Sequence, residues 1–532
     1  MQGLMSSYPL TLPMLFHRAE RLFGDKTITT LTATGKDRTN YGEWAGRTRR
    51  LAGALDTLGI SEDGRVATFA WNTARHLELY FAAPCSGRVL HTLNIRLFPE
   101  QLSYIVDHAE DEVIFVDRSL LKVLWPLAAD MGTVKHFVVM DDGAGDIPED
   151  ERILDYEELI GGAEPVEFDV QDENRAAAMC YTSGTTGHPK GVVYSHRSSV
   201  LHSIGAMLVD TVAVSERDVV LPVVPMFHAN AWGLAHAAVM AGAALAFPGP
   251  QMTPAAIAEL IEAEKVTLAA GVPTIWNGAL EELANRDTSS LRDILCGGSA
   301  VPRALSEAYR EKLGKPILHA WGMTETSPLG SVCRIKSTLT GKPEDELAEI
   351  RATQGIITPL MECRIVEPGT SDELPWDGEA RGELQVAGPW VAAAYYNDDR
   401  GSDQFTDDGF LRTGDVATIT PEGYIRLVDR TKDLVKSGGE WISSVELENE
   451  IMAHPQVVEA AVIGVPDEKW GERPLACVVT EGDAELDADA LREFLAERVA
   501  KWWIPERVEF IEEVPKTSVG KFSKKTLRER FS

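Results

Sequence analysis

Short apolar segments alternate with helical patterns of polar and apolar residues between about Val66 and Gly322. The apolar or β-branched runs lie at 113–116, 137–140, 219–224, 266–270 and 294–295. This alternation predicts parallel sheets covered by helices. The apolar stretch from Gly233 to Gly249 contains His236 and is rich in Ala and Gly, so it predicts a packed helix and a strand instead of a membrane span.

The pattern changes to strands and turns from about 355 to 428. Pro421-Glu422-Gly423 separates two β-branched segments and predicts a hairpin, so this part is expected to be antiparallel. After the polar segment 429–433, the sequence predicts helices near 444–453 and 488–499 and a strand near 458–462. Ser443 and Glu446 can form a capping box at the first of these helices.

These patterns predict an α/β protein with an antiparallel β subdomain. A large N-terminal domain of stacked α/β sheets would span residues 1–430, with its antiparallel part at about 355–428. A small, mobile α+β C-terminal domain would span residues 431–532. The length of 532 residues exceeds what one hydrophobic core supports, which agrees with several structural units.

Composition narrows the class of protein. Hydrophobic residues make up 44% and charged residues 25%, as in a globular protein, and the net charge of −31 argues against general binding to nucleic-acid phosphates. The six cysteines are scattered without a Cys-x-x-Cys pair, so neither a disulfide framework nor a zinc site is indicated, and a reducing cytoplasm is expected. Residues 1–7 lack the pattern of a secretion signal.

The segment 181–191 concentrates hydroxyls, glycines and one lysine, as a triphosphate-binding loop requires. Gly184, Gly187 and Gly191 let the backbone turn tightly and bring N–H groups close to phosphate oxygens, and Lys190 adds a positive charge. The spacing is not that of a Walker A motif, because Lys190 follows a proline and precedes a predicted strand. An ordinary Gly/Ser/Thr turn is the alternative interpretation.

A second motif, 319–326, ends a predicted strand in an aromatic-Gly turn followed by a hydroxyl and a carboxylate. Strand ends are where α/β sheets bind ligands. Glu325 suits Mg²⁺, Thr324 can donate to a phosphate, and Trp321 offers a face to a purine. On its own, the motif also fits an ordinary capped helix start.

Three further sites follow along the chain. Asp415 suits two ribose hydroxyls as a bidentate acceptor, and Arg430 can donate to the same sugar or its phosphate. Residues 515–521 end in Gly-Lys, and Lys521 precedes a strongly basic predicted helix. A solvated basic tail is the alternative for this last segment.

Five motifs in this order, spread from 181 to 521, resemble those of the AMP-forming acyl-CoA synthetases. That adenylating family also includes firefly-type luciferases and the adenylation domains of peptide synthetases. The resemblance covers essentially the whole chain. Segments 91–101 and 437–444 are similar to the branch of medium-chain acyl-CoA ligases and 3-methylmercaptopropionate-CoA ligases, which implies a small or medium carboxylic acid as substrate.

The resemblance implies ATP, Mg²⁺ and CoA as cofactors and gives each motif a role. Glu325 and Thr185 would hold Mg²⁺, Thr324 would contact the α-phosphate, and Lys521 would bridge the acyl carboxylate and the α-phosphate, stabilising the transition state. The phosphate loop would contribute Thr182, Ser183, Gly184, Thr185, Thr186, Gly187 and Lys190. The adenine would contact Gly297, Gly298, Ser299, Ala300 and Trp321, and the ribose would contact Asp415 and Arg430. Gly322 and Met323 are also assigned to cofactor binding.

Thioester formation implies a rotation of the C-terminal domain, which brings the CoA thiol to the carbon of the mixed anhydride. Lys432 falls at the hinge position, and Lys436 is assigned to cofactor binding. Gly438 and Gly439 would line the pantetheine channel, since glycine permits close backbone approach.

The chain departs from the common family pattern at three places. Trp321 replaces the commoner tyrosine, Lys432 replaces a frequent aspartate, and Ser299-Ala300 replaces Ala-Pro. The first two keep an aromatic face and a polar hinge, whereas the third leaves the adenine contacts open.

The resemblance places the segment 225–233 beside the acyl group. His228 would gate the pocket and contact the reacting carboxyl region, and Trp232 would wall the acyl tail. An indole favours a short acid and makes a favourable contact with a thioether sulfur. Gly322 is assigned to the same pocket, and Trp276 is either another wall or core. The histidines interpreted as structural or exposed are His188, His196, His202 and His236.

The function expected from the sequence is ATP-dependent acid:CoA ligation, with 3-(methylthio)propionate as substrate and a medium-chain fatty acid as the runner-up. An adenylation enzyme with another acceptor, such as a carrier protein, is a second possibility, although His228 stands where such domains usually have Asp. A luciferase-like oxidation stays open, and a non-catalytic nucleotide or CoA sensor is disfavoured by Lys521. A homodimer is expected because homodimers are common in the family; neither a nucleic-acid partner nor integral membrane contact is expected.

Overall fold

The computed structural model describes residues 1–182, 188–438, 440–480, 482, 486–516 and 522–531. The fold consists of two compact units. The first unit comprises residues 1–182, 189–362 and 387–405, and the second comprises His188, 363–386 and the described residues from 406 onward. Within the described ranges no helix combines the length and the apolar character needed to cross a membrane.

The first unit begins with a mixed series of helices and strands: α1 (Leu12–Leu22), β1 (Thr27–Leu31), β2 (Lys36–Asn40), α2 (Tyr41–Thr57), β3 (Arg65–Phe69), α3 (Ala74–Cys85), β4 (Val89–Thr92), α4 (Pro99–Ala109), β5 (Asp111–Asp117), α5 (Leu121–Leu124), β6 (His136–Met140), β7 (Ile153–Asp155) and α6 (Tyr156–Gly161).

The same unit continues with a second series: β8 (Ala176–Tyr181), β9 (Gly191–Ser195), α7 (His196–Met207), β10 (Val219–Pro222), the single turn α8 (Ala229–Trp232), α9 (Leu234–Ala241), β11 (Ala244–Phe247), α10 (Pro254–Ala263), β12 (Leu268–Gly271), α11 (Pro273–Ala284), β13 (Asp293–Cys296), α12 (Arg303–Leu313), β14 (Leu318–Gly322), β15 (Leu329–Val332), α13 (Glu344–Arg351) and β16 (Ile356–Ile357). Short 3-10 turns lie at Arg118–Leu120, Trp125–Leu127, Thr324–Thr326, Ser337–Leu339 and Asp399–Gln404.

Two large sheets organise this unit, as the alternating pattern predicted. One has seven strands in the order β7-β6-β5-β3-β4-β8-β9, parallel except for the antiparallel edge strand β9. The other has nine strands in the order β16-β15-β14-β13-β12-β10-β11-β1-β2, and it is parallel from β14 to β1. The apolar core against which the helices pack includes Phe16, Trp44 and Phe81, all fully buried.

The second unit carries β17 (Glu362–Val366), β18 (Gly382–Ala387), β19 (Leu411–Ile419), β20 (Ile425–Arg430), β21 (Val435–Ser437), β22 (Glu440–Ile442), α14 (Ser444–Met452), β23 (Val457–Asp467), β24 (Gly471–Thr480), α15 (Ala488–Ala496), a 3-10 turn (Lys501–Trp503), β25 (Arg507–Phe510) and α16 (Lys524–Phe531). Strands β17 to β20 form a four-stranded sheet in sequence order, and β21 to β25 form a five-stranded sheet.

Several local predictions are confirmed in this unit. Ile419 pairs with Ile425 across the Pro421-Glu422-Gly423 connection, so this segment is the expected hairpin. The hydroxyl of Ser443 accepts from the Glu446 N–H at 3.0 Å and caps α14, which is one of the two bonds of the predicted capping box. The large α/β domain and the small domain with a mainly antiparallel sheet agree with the fold class expected from the sequence.

Candidate active site

Strands β8 and β9 hold the two ends of the predicted phosphate loop. Tyr181 pairs with Gly191 in the antiparallel ladder. Beyond it, the Thr182 N–H donates to the Lys190 carbonyl at 2.9 Å, and the Lys190 N–H donates to the Thr182 hydroxyl at 3.2 Å. Both ends are therefore fixed by the sheet. The loop residues Ser183, Gly184, Thr185, Thr186 and Gly187 lie outside the described residues.

The ammonium of Lys190 lies in a polar cluster built by distant parts of the chain. It donates to Oε1 of Gln404 at 3.1 Å and lies 4.5 Å from the ring centroid of Tyr395. The Tyr395 hydroxyl oxygen is 2.7 Å from Gln404 Oε1 and 2.7 Å from Glu325 Oε1. Burial, with a smaller contribution from the Glu325 charge, raises the pKa of Tyr395 well above its usual value, so the phenol stays a donor.

Glu325 lies in the 3-10 turn after β14, at the carboxyl end of the parallel part of the sheet. Its main-chain oxygen accepts from the Ala392 N–H at 2.7 Å, and its side chain is held by Tyr395. The neighbouring Thr324 presents its main-chain oxygen to the hydroxyl of Tyr194 at 2.8 Å. Glu325 is only 7% exposed, so its carboxylate is a sheltered charge.

Trp321 and Gly322 end β14 in a crowded turn. The Trp321 ring packs directly on Gly330, and the side chain is buried. A Cβ at Gly322 would collide with the carbonyl oxygen of Pro328, so glycine is required there. Met323 precedes Thr324 and is half-buried. The predicted adenine residues Gly298, Ser299 and Ala300 form an exposed loop after β13.

The assigned acyl segment contains a left-handed turn, α8, directly after His228. The φ angles of Ala229, Asn230, Ala231 and Trp232 are 42°, 53°, 53° and 56°, and Gly233 continues at 69°. Left-handed helical geometry costs an L-residue roughly 1–2 kcal/mol, so contacts from the surroundings must hold this turn.

Asn72 fixes the chain that leads into this turn. Its side-chain amide donates to the carbonyls of Pro222 and Val224 at 2.8 and 2.9 Å and accepts from the Met226 N–H at 2.7 Å. Within the turn, the thiol of Cys180 donates to Asn230 Oδ1 at 3.0 Å. The chain on either side of His228 is thus fixed from β8 and from the segment after β3.

The turn places Trp232 against the glycines that follow β13. Built Cβ atoms at Gly297 and Gly298 would each lie 3.6 Å from the indole of Trp232. His228 is half-buried at the start of the turn, and its N–H donates to the Pro225 carbonyl at 3.0 Å. The structure therefore brings Trp232 together with the predicted adenine loop.

Trp276 occupies the core that covers the other face of the nine-stranded sheet. It is fully buried, and its indole N–H donates to the carbonyls of Gly271 and Leu295, each at 3.1 Å. Of the two roles that the sequence left open, this environment favours the core.

Asp415 and Arg430 face each other in the second unit. They are paired residues on β19 and β20, and Arg430 Nε lies 2.8 Å from Asp415 Oδ1. The carboxylate is buried, whereas the guanidinium side chain is 45% exposed. One partner is held inside the sheet while the other remains accessible, which suits a shared binding surface for ribose hydroxyls.

Lys432 lies just beyond β20, and its carbonyl oxygen accepts from Arg528 Nη2 at 3.1 Å. The same guanidinium donates to Asp433 Oδ1 at 2.7 Å. The predicted hinge residue is therefore connected to α16.

Gly438 follows β21 with φ 63°, and its N–H donates to the Trp470 carbonyl at 2.7 Å. A Cβ there would lie 2.7 Å from the Trp470 ring, so the indole packs closely against this exposed glycine. The ammonium of Lys436, on the same strand, lies 5.1 Å from the Trp441 ring centroid. Gly439 and Lys521 lie outside the described residues; Lys521 directly precedes Phe522, which pairs with Lys516.

Comparison with known proteins decides the family. Residues 16–396 match the AMP-binding enzyme model, and residues 446–521 match the C-terminal domain of AMP-binding enzymes. The chain belongs to the AMP-binding enzyme family.

Two relatives of this AMP-binding enzyme align over nearly the full length. It is 46% identical to a long-chain-fatty-acid–CoA ligase of Thermus thermophilus, over 99% of this chain and 96% of the relative. It is 45% identical to a 3-methylmercaptopropionyl-CoA ligase of Ruegeria lacuscaerulensis, over 100% of this chain and 99% of the relative. ATP-bound MatB from Rhodopseudomonas palustris superimposes with a TM-score of 0.82 at 28% identity, over 98% of this chain and 99% of MatB.

Within its family, the AMP-binding enzyme is an adenylate-forming acyl-CoA synthetase, which uses ATP and CoA. Sequence reasoning missed two residues of its polar cluster, Tyr395 and Gln404. Neither lies in a glycine-rich or basic motif, and each meets Glu325 or Lys190 only through the fold. The available signal was Tyr395-Tyr396 in an otherwise small-residue segment, and it does not by itself point to a site.

Proposed function

We propose that this synthetase activates 3-(methylthio)propionate and forms 3-(methylthio)propionyl-CoA. The observation that carries the proposal is the position of Trp232, whose indole lies against Gly297 and Gly298. In the assigned pocket, an indole there fills space that a long acyl chain needs, and its face suits a thioether sulfur. The name of the Ruegeria lacuscaerulensis relative supports the same acid.

Adenylation needs no general base from the protein, because the carboxylate of the acid is itself the nucleophile. Its oxygen forms a bond to the α-phosphorus of ATP, the bond to pyrophosphate breaks, and an acyl-adenylate results. We assign Lys521 to the negative charge that grows on the α-phosphoryl oxygens, a role for a preorganised cation. Lys190 is assigned to the β- and γ-phosphates and Thr324 to the α-phosphate, and His228 would contact the carboxyl group of the acid.

Glu325 is the described residue that best fits Mg²⁺. This ion is usually held by one or two carboxylates together with substrate phosphates, so a single sheltered carboxylate at a strand end is suitable. Among the described residues, no group of three His, Cys, Asp or Glu side chains could hold a metal ion by itself. We assign Thr185 as a second contact. The bound ion would neutralise phosphate charge during adenylation.

The second half-reaction transfers the acyl group to CoA. The thiolate sulfur bonds to the acyl carbon and AMP leaves with the electron pair of the broken anhydride bond. We propose that residues 431–532 form a mobile domain that rotates about Lys432 between the two half-reactions. Asp415 and Arg430 are assigned to the ribose, and Lys436, Gly438 and Gly439 to the CoA side.

The test measures CoA-thioester formation as kcat/KM with 3-(methylthio)propionate, butyrate, hexanoate, octanoate and decanoate. We expect the maximum at 3-(methylthio)propionate, and we expect Trp232→Ala to move it toward octanoate. A difference of one methylene group in a hydrophobic pocket is worth about 10- to 200-fold in discrimination. Trp376→Ala, which removes an indole that is 42% exposed, is the matched control and is expected to keep the wild-type order.

A maximum at octanoate or decanoate in the wild type would refute the short-acid assignment. The second candidate, a medium-chain fatty acid, would then replace it. That candidate is favoured by the Thermus thermophilus relative, which is named for fatty acids. Adenylate formation with every acid but no thioester would instead indicate another acceptor.

We also propose a cytoplasmic location and a homodimer. Six cysteines that form no disulfide agree with a reducing compartment. Sedimentation of the purified protein tests the homodimer, because a monomer mass at micromolar concentration would exclude it.

A further inference from the structure

We propose that Tyr395 is a positioning residue that holds the Glu325 carboxylate and the Lys190 ammonium in one fixed arrangement for metal-bound ATP. This inference rests on the proposed roles of Glu325 and Lys190. It assigns a function to a side chain that lies outside the motifs expected to bind the nucleotide.

The Tyr395 hydroxyl has one hydrogen and two neighbouring acceptors. Glu325 Oε1 and Gln404 Oε1 each lie 2.7 Å from its oxygen. The charged carboxylate is the stronger acceptor, so the hydrogen belongs to Glu325. Gln404 Oε1 meanwhile accepts from the Lys190 ammonium at 3.1 Å. The Tyr395 phenol therefore binds the Glu325 carboxylate, and the Gln404 amide binds the Lys190 ammonium.

The ring of Tyr395 has a second task. The Lys190 ammonium lies 4.5 Å from the ring centroid, within the range of a cation–π contact. A single side chain thus contacts a carboxylate through its hydroxyl and a cation through its face. Loss of the hydroxyl alone separates these two effects.

Main-chain bonds hold the segment 390–396, which carries Tyr395, to both motifs. Ala392 N–H donates to the Glu325 carbonyl at 2.7 Å, and Tyr396 N–H donates to the Gly191 carbonyl at 2.8 Å. This segment therefore joins the turn after β14 to the strand that follows the phosphate loop. Main-chain bonds to the turn of Glu325 and to the strand after Lys190 therefore position the phenol beside the side chains of these two residues.

The backbone of Gly401 packs against both Lys190 and Tyr395. A Cβ at this position would lie 2.5 Å from Lys190 Nζ and 2.6 Å from Tyr395 Cε2. The backbone thus approaches the ammonium and the ring more closely than any side chain allows. Gly401→Ala is expected to displace both groups, whereas Tyr395→Phe removes only one hydrogen bond.

The experiment titrates Mn²⁺, as a spectroscopic substitute for Mg²⁺, into the full-length enzyme with α,β-methylene-ATP and follows free Mn²⁺ by electron paramagnetic resonance. Tyr395→Phe is expected to weaken Mn²⁺ binding by about 10-fold, because losing a hydrogen-bond partner of a metal ligand typically costs 10- to 100-fold. Gly401→Ala is expected to weaken it as well. Steady-state assays should show a raised KM for metal-bound ATP and an unchanged KM for the acid.

Tyr396→Phe is the matched control. It removes the neighbouring hydroxyl, keeps a ring that packs 5.7 Å from His108, and is expected to bind Mn²⁺ as the wild type does. Equal Mn²⁺ affinity in Tyr395→Phe and wild type overturns the inference. If Glu325→Gln also binds with wild-type affinity, the proposed role of Glu325 fails together with it. A weakened Glu325→Gln beside an unaffected Tyr395→Phe rejects the role of Tyr395 alone.

Discussion

The guanidinium of Arg528 lies 2.7 Å from the carboxylate of Asp433 and 3.1 Å from the carbonyl oxygen of Lys432. These bonds connect α16, which begins at Lys524, with the residue where we propose the hinge. The helix that follows Lys521 in the sequence is thereby tied to the backbone whose torsion angles would change in the proposed rotation.

Arg528→Ala should impair the two half-reactions unequally. Without the guanidinium, the backbone at Lys432 loses its connection to α16, and we expect the rotation about the hinge to be less well guided. Thioester formation, which needs this rotation, should fall about 10-fold, while pyrophosphate exchange should change by less than about threefold. Lys525→Ala, on the same helix but 61% exposed, is the control. Equal losses in both half-reactions would show that Arg528 does no more than support the fold.

Lys521→Ala should abolish adenylation and leave ATP binding nearly intact. The reason is that the assigned charge acts on the transition state more than on the bound nucleotide. We expect pyrophosphate exchange to fall by at least about 100-fold, with the dissociation constant of ATP changed by less than about threefold. A variant that exchanges pyrophosphate at the wild-type rate would remove Lys521 from the mechanism.

Asn72→Asp should destabilise the first unit and the acyl segment in particular. The amide donates to two carbonyls, and a carboxylate would place acceptor oxygens against them. We expect a loss of about 3 kcal/mol in the free energy of unfolding, since each unmet buried polar group costs about 1–3 kcal/mol. Urea denaturation measures it. Asn285→Asp, at an exposed helix end, serves as the reference and should lose far less.

Stability should fall as pH decreases below about 6.5, and His202 should contribute to this fall. Burial, followed by repulsion from His236, lowers the pKa of His202 to about 3, and its Nε2 must stay unprotonated to accept from the Leu329 N–H at 3.2 Å. Below pH 6.5 the unfolded chain therefore binds a proton that the folded chain does not. The contribution is fully present above the unfolded pKa and is lost as pH falls toward 3.

The slope from one such group is about 1.4 kcal/mol per pH unit. His202→Gln keeps an acceptor for Leu329 but cannot titrate, so its stability should depend less steeply on pH between 6.5 and 4. Urea unfolding of wild type and variant across this range measures the difference. Identical slopes would mean that His202 is protonated in the folded protein.

Local signals in the sequence predicted a large share of the fold. The hairpin at 421–423, the cap at Ser443 and the strand after Lys190 follow from turn chemistry, side-chain capping and apolar alternation, which act over a few residues. Side-chain chemistry assigned Asp415 and Arg430 to the same sugar, but their direct pairing was not predicted, because it depends on the register of β19 and β20. Register is set by the whole sheet and has no local signature.

The left-handed turn shows where such reasoning stops. Ala229, Ala231 and Trp232 carry no preference for positive φ, so nothing in the segment itself indicates it. Asn72 holds the chain that leads into the turn, and Cys180 donates to Asn230 within it; both lie far away in the chain. The contact of Tyr395 with Glu325 was hidden for the same reason, since it spans two segments that meet only in the folded protein.

A turn that opposes the conformational preference of its own residues can be reshaped without a substitution at Trp232 itself. A substitution of a buried contact of the turn, such as the bond from Cys180 to Asn230, would let 229–232 relax to an ordinary conformation and move the indole of Trp232. Because we propose Trp232 as the wall of the acyl pocket, selectivity for acid length would then change through substitutions remote from the bound acid. Enzymes of this family would then change the acid that they prefer while every residue in contact with the substrate stays the same.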